Sequence, residues 1–204
     1  MAPPSSRDKI LDVAEVLFAR RGYAGVGLRE VTEQAGLGKS SLFHHFKSKD
    51  VLYGEVLGEV LGRIRLVLDP IVASDAKPEL RLVAWVEGLV DALATYPSTA
   101  RLLMRALVED DPLGPDLPEA IAAESVLSSI LDGIRTLLDE GVKKGVFRDV
   151  SIPHSVQTLI GATVYHFASG EFGENLLGRP LISTEAVRRR KTELVRMLQH
   201  GLLA

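Results

Sequence analysis

Residues 28–49, LREVTEQAGLGKSSLFHHFKSK, interrupt their apolar periodicity three times within a short span, which neither one continuous helix nor a strand can accommodate. The pattern predicts two short helices joined by a tight turn, a helix-turn-helix. In the first, Leu28, Val31 and Ala35 recur at i, i+3 and i+7 and share a face, leaving Arg29, Glu30, Glu33 and Gln34 on the other. Gly36 ends it, since glycine takes the left-handed conformation without a Cβ clash, and Leu37 is the apolar plug of the turn. Gly38 caps a second helix over residues 39–46, where glycine is weaker than serine by only about a few tenths of a kcal/mol.

At about 100° per residue from Leu42, Phe46 falls at about 40° and Phe43 at about 100°, whereas Ser40, His44 and Ser41 fall at roughly 160°, 200° and 260°. One flank is greasy and the other carries short polar groups. Such a helix, with Lys39 at its start and Lys49 just past its end, has the chemistry to enter a major groove and meet bases and phosphates. The same pattern describes an amphipathic hairpin at a core edge with both lysines merely solvated, and spacing alone leaves the two readings open.

The stretch resembles the DNA-binding domain of TetR-family transcriptional regulators. That family's pattern runs from a first helix ending in Phe-x-x-x-Gly-Tyr, through Ala-Gly-Val, to a recognition helix ending in His-Phe-x-Ser-Lys-Glu-x-Leu. The matching residues are Phe18, Gly22, Tyr23, Ala35, Gly36, Leu37, His45, Phe46, Ser48, Lys49, Asp50 and Leu52, in register over residues 6–52. Four positions depart from it. Gly27 and Gly38 replace hydroxyl caps, Ser40 replaces a glycine, and Phe43 replaces a tyrosine whose hydroxyl touches the DNA backbone. Phe43 is therefore expected to pack or to make an apolar contact to a sugar or thymine methyl.

The resemblance implies an all-α fold: an N-terminal three-helix DNA-binding domain over residues 1–48 and a larger helical ligand-binding and dimerisation domain over residues 49–204. It implies a homodimeric regulator, most often a repressor in this family, that grips palindromic double-stranded operator DNA and responds to a small-molecule effector. Lys39, Ser40, Ser41, His44 and Phe43 are the expected contacts at or near base edges. Arg29, His45 and Lys49 are the expected phosphate contacts. For the effector, apolar residues of the fourth to eighth helices are candidates: Leu57, Leu61, Trp85, Leu89, Met104, Leu107, Phe147 and Tyr165. All are also reasonable core residues, and for each one packing is the stronger reading.

The rest of the chain fits an all-helical reading. Ser5 or Ser6 can cap a first helix with Asp8 in its first turn, and Ile10, Ala14, Leu17 and Phe18 form its apolar stripe. Ser48 starts a long helix over residues 50–68, closed by Asp69 and Pro70. Further helices are predicted at 78–95, 98–109, 117–142, 152–168 and 184–202, with a flexible loop over 170–180. Glu109, Asp110, Asp111 and Pro112 read as a solvated acidic loop, and Met1 to Pro4 as disordered. Residues 156–168, VQTLIGATVYHFA, carry so little charge that they must be buried. The resemblance pairs this helix and the last one with their copies in a second subunit; packing inside a monomer is the alternative.

The net charge of −3 hides a difference between the ends. Residues 1–52 hold eight Lys or Arg against six Asp or Glu, +2, and the remainder 16 against 21, −5. Local charge governs contact with phosphates, so the helix-turn-helix keeps a weakly positive field. The absence of cysteine excludes a disulfide framework and cysteine-based zinc, consistent with a reducing cytoplasm, and no apolar run is long enough to span a bilayer. Adjacent His44 and His45 diverge by about 100° on a helix, and no histidine shows metal-ligand spacing. No nucleophile motif or phosphate loop stands out, so neither catalysis nor a cofactor is expected. A ligand-binding protein that has lost DNA function and a small helical enzyme remain as rival readings.

Overall fold

A computed structural model describes residues 5–108, 113–114 and 116–203. Ten helices follow one another among these residues: α1 (Ser6–Arg21), α2 (Leu28–Gln34), α3 (Lys39–His45), α4 (Lys49–Val72), α5 (Pro78–Thr95), α6 (Pro97–Val108), α7 (Pro118–Lys143), α8 (Ile152–Ala168), α9 (Glu171–Leu177) and α10 (Thr184–Leu202). The extended contact found among them is an isolated antiparallel bridge between Phe147 and Leu203. Residues 1–4 and 109–112, which include the expected disordered start and the acidic loop, lie outside the described residues.

Local chemistry explains the small N-terminal unit. Ser5 caps α1 reciprocally: its hydroxyl accepts from the Asp8 N–H at 3.2 Å, and the Asp8 carboxylate accepts from the Ser5 N–H at 3.1 Å. Helix α2 ends in a Schellman turn. Gly36 adopts φ +67°, its N–H reaches the Glu33 carbonyl at 3.2 Å, and the Leu37 N–H reaches that of Thr32 at 2.9 Å. Ile10, Ala14, Phe18, Val31, Leu42, Phe46 and Leu52 are all fully buried, so α1 lies behind the helix-turn-helix and supplies its core. Phe18, Tyr23 and Tyr53 add an edge-to-face aromatic cluster with ring centroids 4.9 and 5.3 Å apart.

Helix α4 connects the two units. Its Ser48 hydroxyl accepts from the Val51 N–H at 3.2 Å, and Leu52, Val56, Leu57, Val60, Leu61, Ile64 and Leu68 bury its inner face. It packs against α5 and α7. Gly54 sits where the first turn of α7 crosses, and a Cβ there would come 2.7 Å from that of Glu119. The predicted stop at Asp69 and Pro70 is corrected: α4 continues through Pro70 to Val72. Proline displaces the carbonyl four residues back, here on Leu66, and both residues face solvent, so that carbonyl stays open to water and no packing is disturbed. The buried Arg81 guanidinium then holds the helix end, donating to the Val72 carbonyl and, at 2.8 Å, to Glu140 on α7.

Two other expectations change. Residues 170–180 contain helix α9, anchored where the Leu181 N–H donates to the Glu174 carboxylate. The run EFGENLL was obscured by flanking glycines and by its exposed Phe172 and Leu176, which give no inward stripe. Helix α8 is buried along Val156, Leu159, Thr163, Val164 and Phe167, but Gln157, Gly161 and Tyr165 face outward from this chain. Low charge marked the helix without telling which face was covered.

Candidate functional site

Two features stand out, one just before the start of α4 and one against its middle. The first is the outward flank of α3. Lys39, Ser40 and His44 are exposed, Ser41 and His45 are half-buried, and Leu42 and Phe46 anchor the other flank. Phe43 is 43% exposed, with the Lys39 ammonium 5.6 Å from its ring centroid, so of the two uses expected for it the outward apolar contact is the one its position permits. Neither Gly27 nor Gly38 contributes a side-chain cap. The backbone N–H groups at the start of α3 therefore remain open to an anion or to water. Arg29 is almost fully exposed on α2 and spans one turn to Glu33 at 2.8 Å.

Lys49 is less free than the sequence suggests. Its ammonium lies 4.2 Å from the centre of the Tyr23 ring, and burial, partly opposed by the Asp50 charge, lowers its pKa from the ordinary lysine value. The Tyr23 hydroxyl donates to Asp50. Burial first, then that hydrogen bond and the carboxylate charge, push the phenol up to about 12. A tyrosine, a lysine and an aspartate thus clamp the start of α4 to the end of α1. Lys47, exposed in the link between α3 and α4, is a further cation on this side that the sequence reading passed over.

The second feature is a half-open cavity of about 910 Å³ lined by α4 to α8, at the upper end of the roughly 300–1,000 Å³ typical of small-molecule sites. Six of the eight expected residues line it: Leu57, Leu61, Trp85, Leu89, Met104 and Leu107. The other two do not. Phe147 lies with its ring against Gly141 beyond the end of α7, bridging to Leu203, and Tyr165 stands 54% exposed on the outer side of α8. Phe147 fills the last gap under the α7 terminus, while Tyr165 lies about 100° round the helix from Val164, which does reach the cavity. Sequence reasoning missed the α7 wall, including Ala120, Leu127 and Leu131, although their i, i+7 and i+11 spacing marks one helical face.

Helix α6 joins the two features. Met104 and Leu107 face the cavity, while Ser98 and Thr99 donate to the Glu15 carboxylate of α1 at 2.7 and 3.2 Å. Arg63 of α4 donates to the same buried carboxylate. Arg105 donates to the carbonyls of Ala19 and Arg20 at 3.1 and 3.2 Å, closing the α1 C-terminus. Glu15 was overlooked; a charge at i+4 from Leu11, within an apolar stripe, was its signal.

On the far side, α8 and α9 expose Tyr165, Phe172, Leu176 and Leu177 around a groove of about 530 Å³ that α10 completes. His166 in its wall is held neutral by burial and by the nearby Arg190 charge, its pKa down to about 4. Among the described residues no cluster of three or more metal-ligating side chains occurs, and no helix is long and apolar enough to cross a membrane.

Comparison with known proteins agrees with this layout. Residues 10–56 match the model for bacterial regulatory proteins of the tetR family, and residues 78–198 match a tetracyclin repressor-like C-terminal domain. The HTH-type transcriptional repressor KstR2 of Rhodococcus jostii is 31% identical over 148 residues, 70% of this chain and 68% of that protein. The KstR2 repressor of Mycolicibacterium smegmatis is 41% identical over 71 residues, only 33% of this chain and 35% of that one. The structure of AibR in complex with isovaleryl coenzyme A and operator DNA superposes with a TM-score of 0.76 at 16% identity, covering 95% of this chain and 97% of that one.

Proposed function

Since the chain belongs to the tetR family of bacterial regulatory proteins, we propose that it is a ligand-responsive transcriptional repressor in the cytoplasm, binding a palindromic operator as a homodimer and released by a small molecule. The observation that carries this reading is the position of α4, which starts just after the recognition helix and, through Tyr53, Leu57, Leu61 and Ile64, forms a wall of the cavity. Lys39, Ser40, Ser41 and His44 meet base edges, with Phe43 against a sugar or methyl. Arg29, His45 and Lys49 hold phosphates, and Lys47 joins them. To do so Lys49 leaves the Tyr23 ring or brings the phosphate to it.

Two copies pair through α8 and α10, whose outward apolar groups need cover, with α9 flanking the contact. A ligand in the cavity touches α4 and α6 together. Through Glu15 and the α1 carbonyls, a shift of either helix is felt by the whole reading unit. The ligand changes DNA affinity only as far as it prefers the arrangement that does not fit the operator. Selection of tight binders from a random DNA pool tests the proposal: an inverted repeat supports it, and a protein that retains no sequence better than bulk DNA overturns it. A regulator of this kind performs no catalysis.

A further inference from the structure

Building on the effector role given to the cavity, we propose that its ligand is an uncharged, largely hydrocarbon molecule with a hydroxyl or carbonyl oxygen, and that carboxylates and acyl thioesters of coenzyme A are rejected. Among the described residues the wall contains no lysine, arginine or histidine. Three cations of the helices that build it are engaged elsewhere: Arg63 with Glu15, Arg81 with Glu140 and the Val72 carbonyl, Arg105 with the end of α1. Residues 109–112, which join the wall residues Val108 and Leu113 in sequence, read Glu-Asp-Asp-Pro and add no positive charge.

The polar side chains in the wall are few, and they point to the same choice. Glu124 and Gln157 are exposed at its edge, where a carboxylate repels an anionic head. Trp85 is fully buried in the wall, and its indole N–H has no hydrogen-bond partner among the described residues. A neutral oxygen acceptor satisfies such a donor at small desolvation cost, whereas an ionised carboxylate or phosphate entering this wall loses its hydration without gaining a cation. The volume suits a long chain or several fused rings.

Trp85 is the single tryptophan of the chain, so its fluorescence reports on the cavity directly. The intact protein is titrated with 1-decanol, ionised decanoate and decanoyl coenzyme A. The expected result is a shift of Trp85 emission with decanol at an apparent Kd roughly tenfold or more below that for decanoate, with decanoyl coenzyme A no better than decanoate. Decanoate or the thioester binding as tightly as decanol overturns the proposal and leaves the cavity an effector site. Silence of all three probes overturns the effector reading itself. The Glu124→Lys variant, altered at an exposed edge position, is expected to gain about threefold or more for decanoate relative to decanol. Equal affinities in variant and wild type overturn the role given to the charge of the wall.

Discussion

Helices α3 and α4 meet at Ser48 and are built on opposite principles. α3 is 7 residues long, starts at a glycine that offers no side-chain cap, and buries Leu42 with Phe46 just beyond its end. α4 is 24 residues long, is capped by serine, and buries an entire face against its neighbours. A helix as short as α3 has no stability of its own, since nucleation costs more than so few hydrogen bonds return. Its shape is imposed by α1 and α2, which pack against it. The outward side chains of α3 are consequently free to serve recognition, because none of them holds the fold. α4 has the reverse assignment: its side chains are committed to packing, and it can move only as a unit.

Removing the support from behind α3 should have the largest effect. Phe46→Ala is expected to cost about 3–5 kcal/mol and to abolish operator binding, read as a lowered denaturant midpoint with a mobility-shift assay alongside. If the midpoint is unchanged, α3 does not depend on its neighbours and the contrast with α4 fails. Substitutions on the outward flank should leave the midpoint alone. Lys39→Ala is expected to change sequence preference by about 1–3 kcal/mol at one base position, whereas Lys49→Ala weakens all DNA alike and lowers the salt slope by about one. Identical effects of the two on selectivity would falsify the division of roles between them.

A pH titration probes the joint itself. Tyr23 titrates near 10 when unfolded and about 12 when folded, so its contribution is complete below pH 10 and is lost as pH rises from about 10 to about 12. The fall in stability over that window should be smaller in Tyr23→Phe, measured by denaturant unfolding at stepped alkaline pH. The smallest effect concerns the cap. Gly38 has φ −79°, and a Cβ there would meet the Ser40 hydroxyl at an ordinary 3.7 Å, so Gly38→Ser is expected to raise stability by about a few tenths of a kcal/mol, seen as a slight rise in Tm. A drop in Tm would mean that the start of α3 is constrained by more than its missing hydroxyl.

The sequence by itself determined the helices with a clear apolar stripe and a chemical stop: α5, α7, α8 and α10 fall within a residue of their expected bounds, and the turn at Gly36 closes as glycine there requires. Periodicity and capping are local properties, written in the residues that obey them. It also placed Ser40 and His44 outward, because a helix that anchors Leu42 and Phe46 leaves them no other side. Tertiary structure alone decided what each stripe faces. Trp85 and Phe147 look alike as buried aromatics, yet one reaches a void where five helices fail to close and the other fills a gap beneath α7. Glu15 is a surface charge until Arg63, Ser98 and Thr99 arrive from elements 48 or more residues away. A void and a shared carboxylate exist only between elements, and the spacing of residues within one element carries no record of its partners.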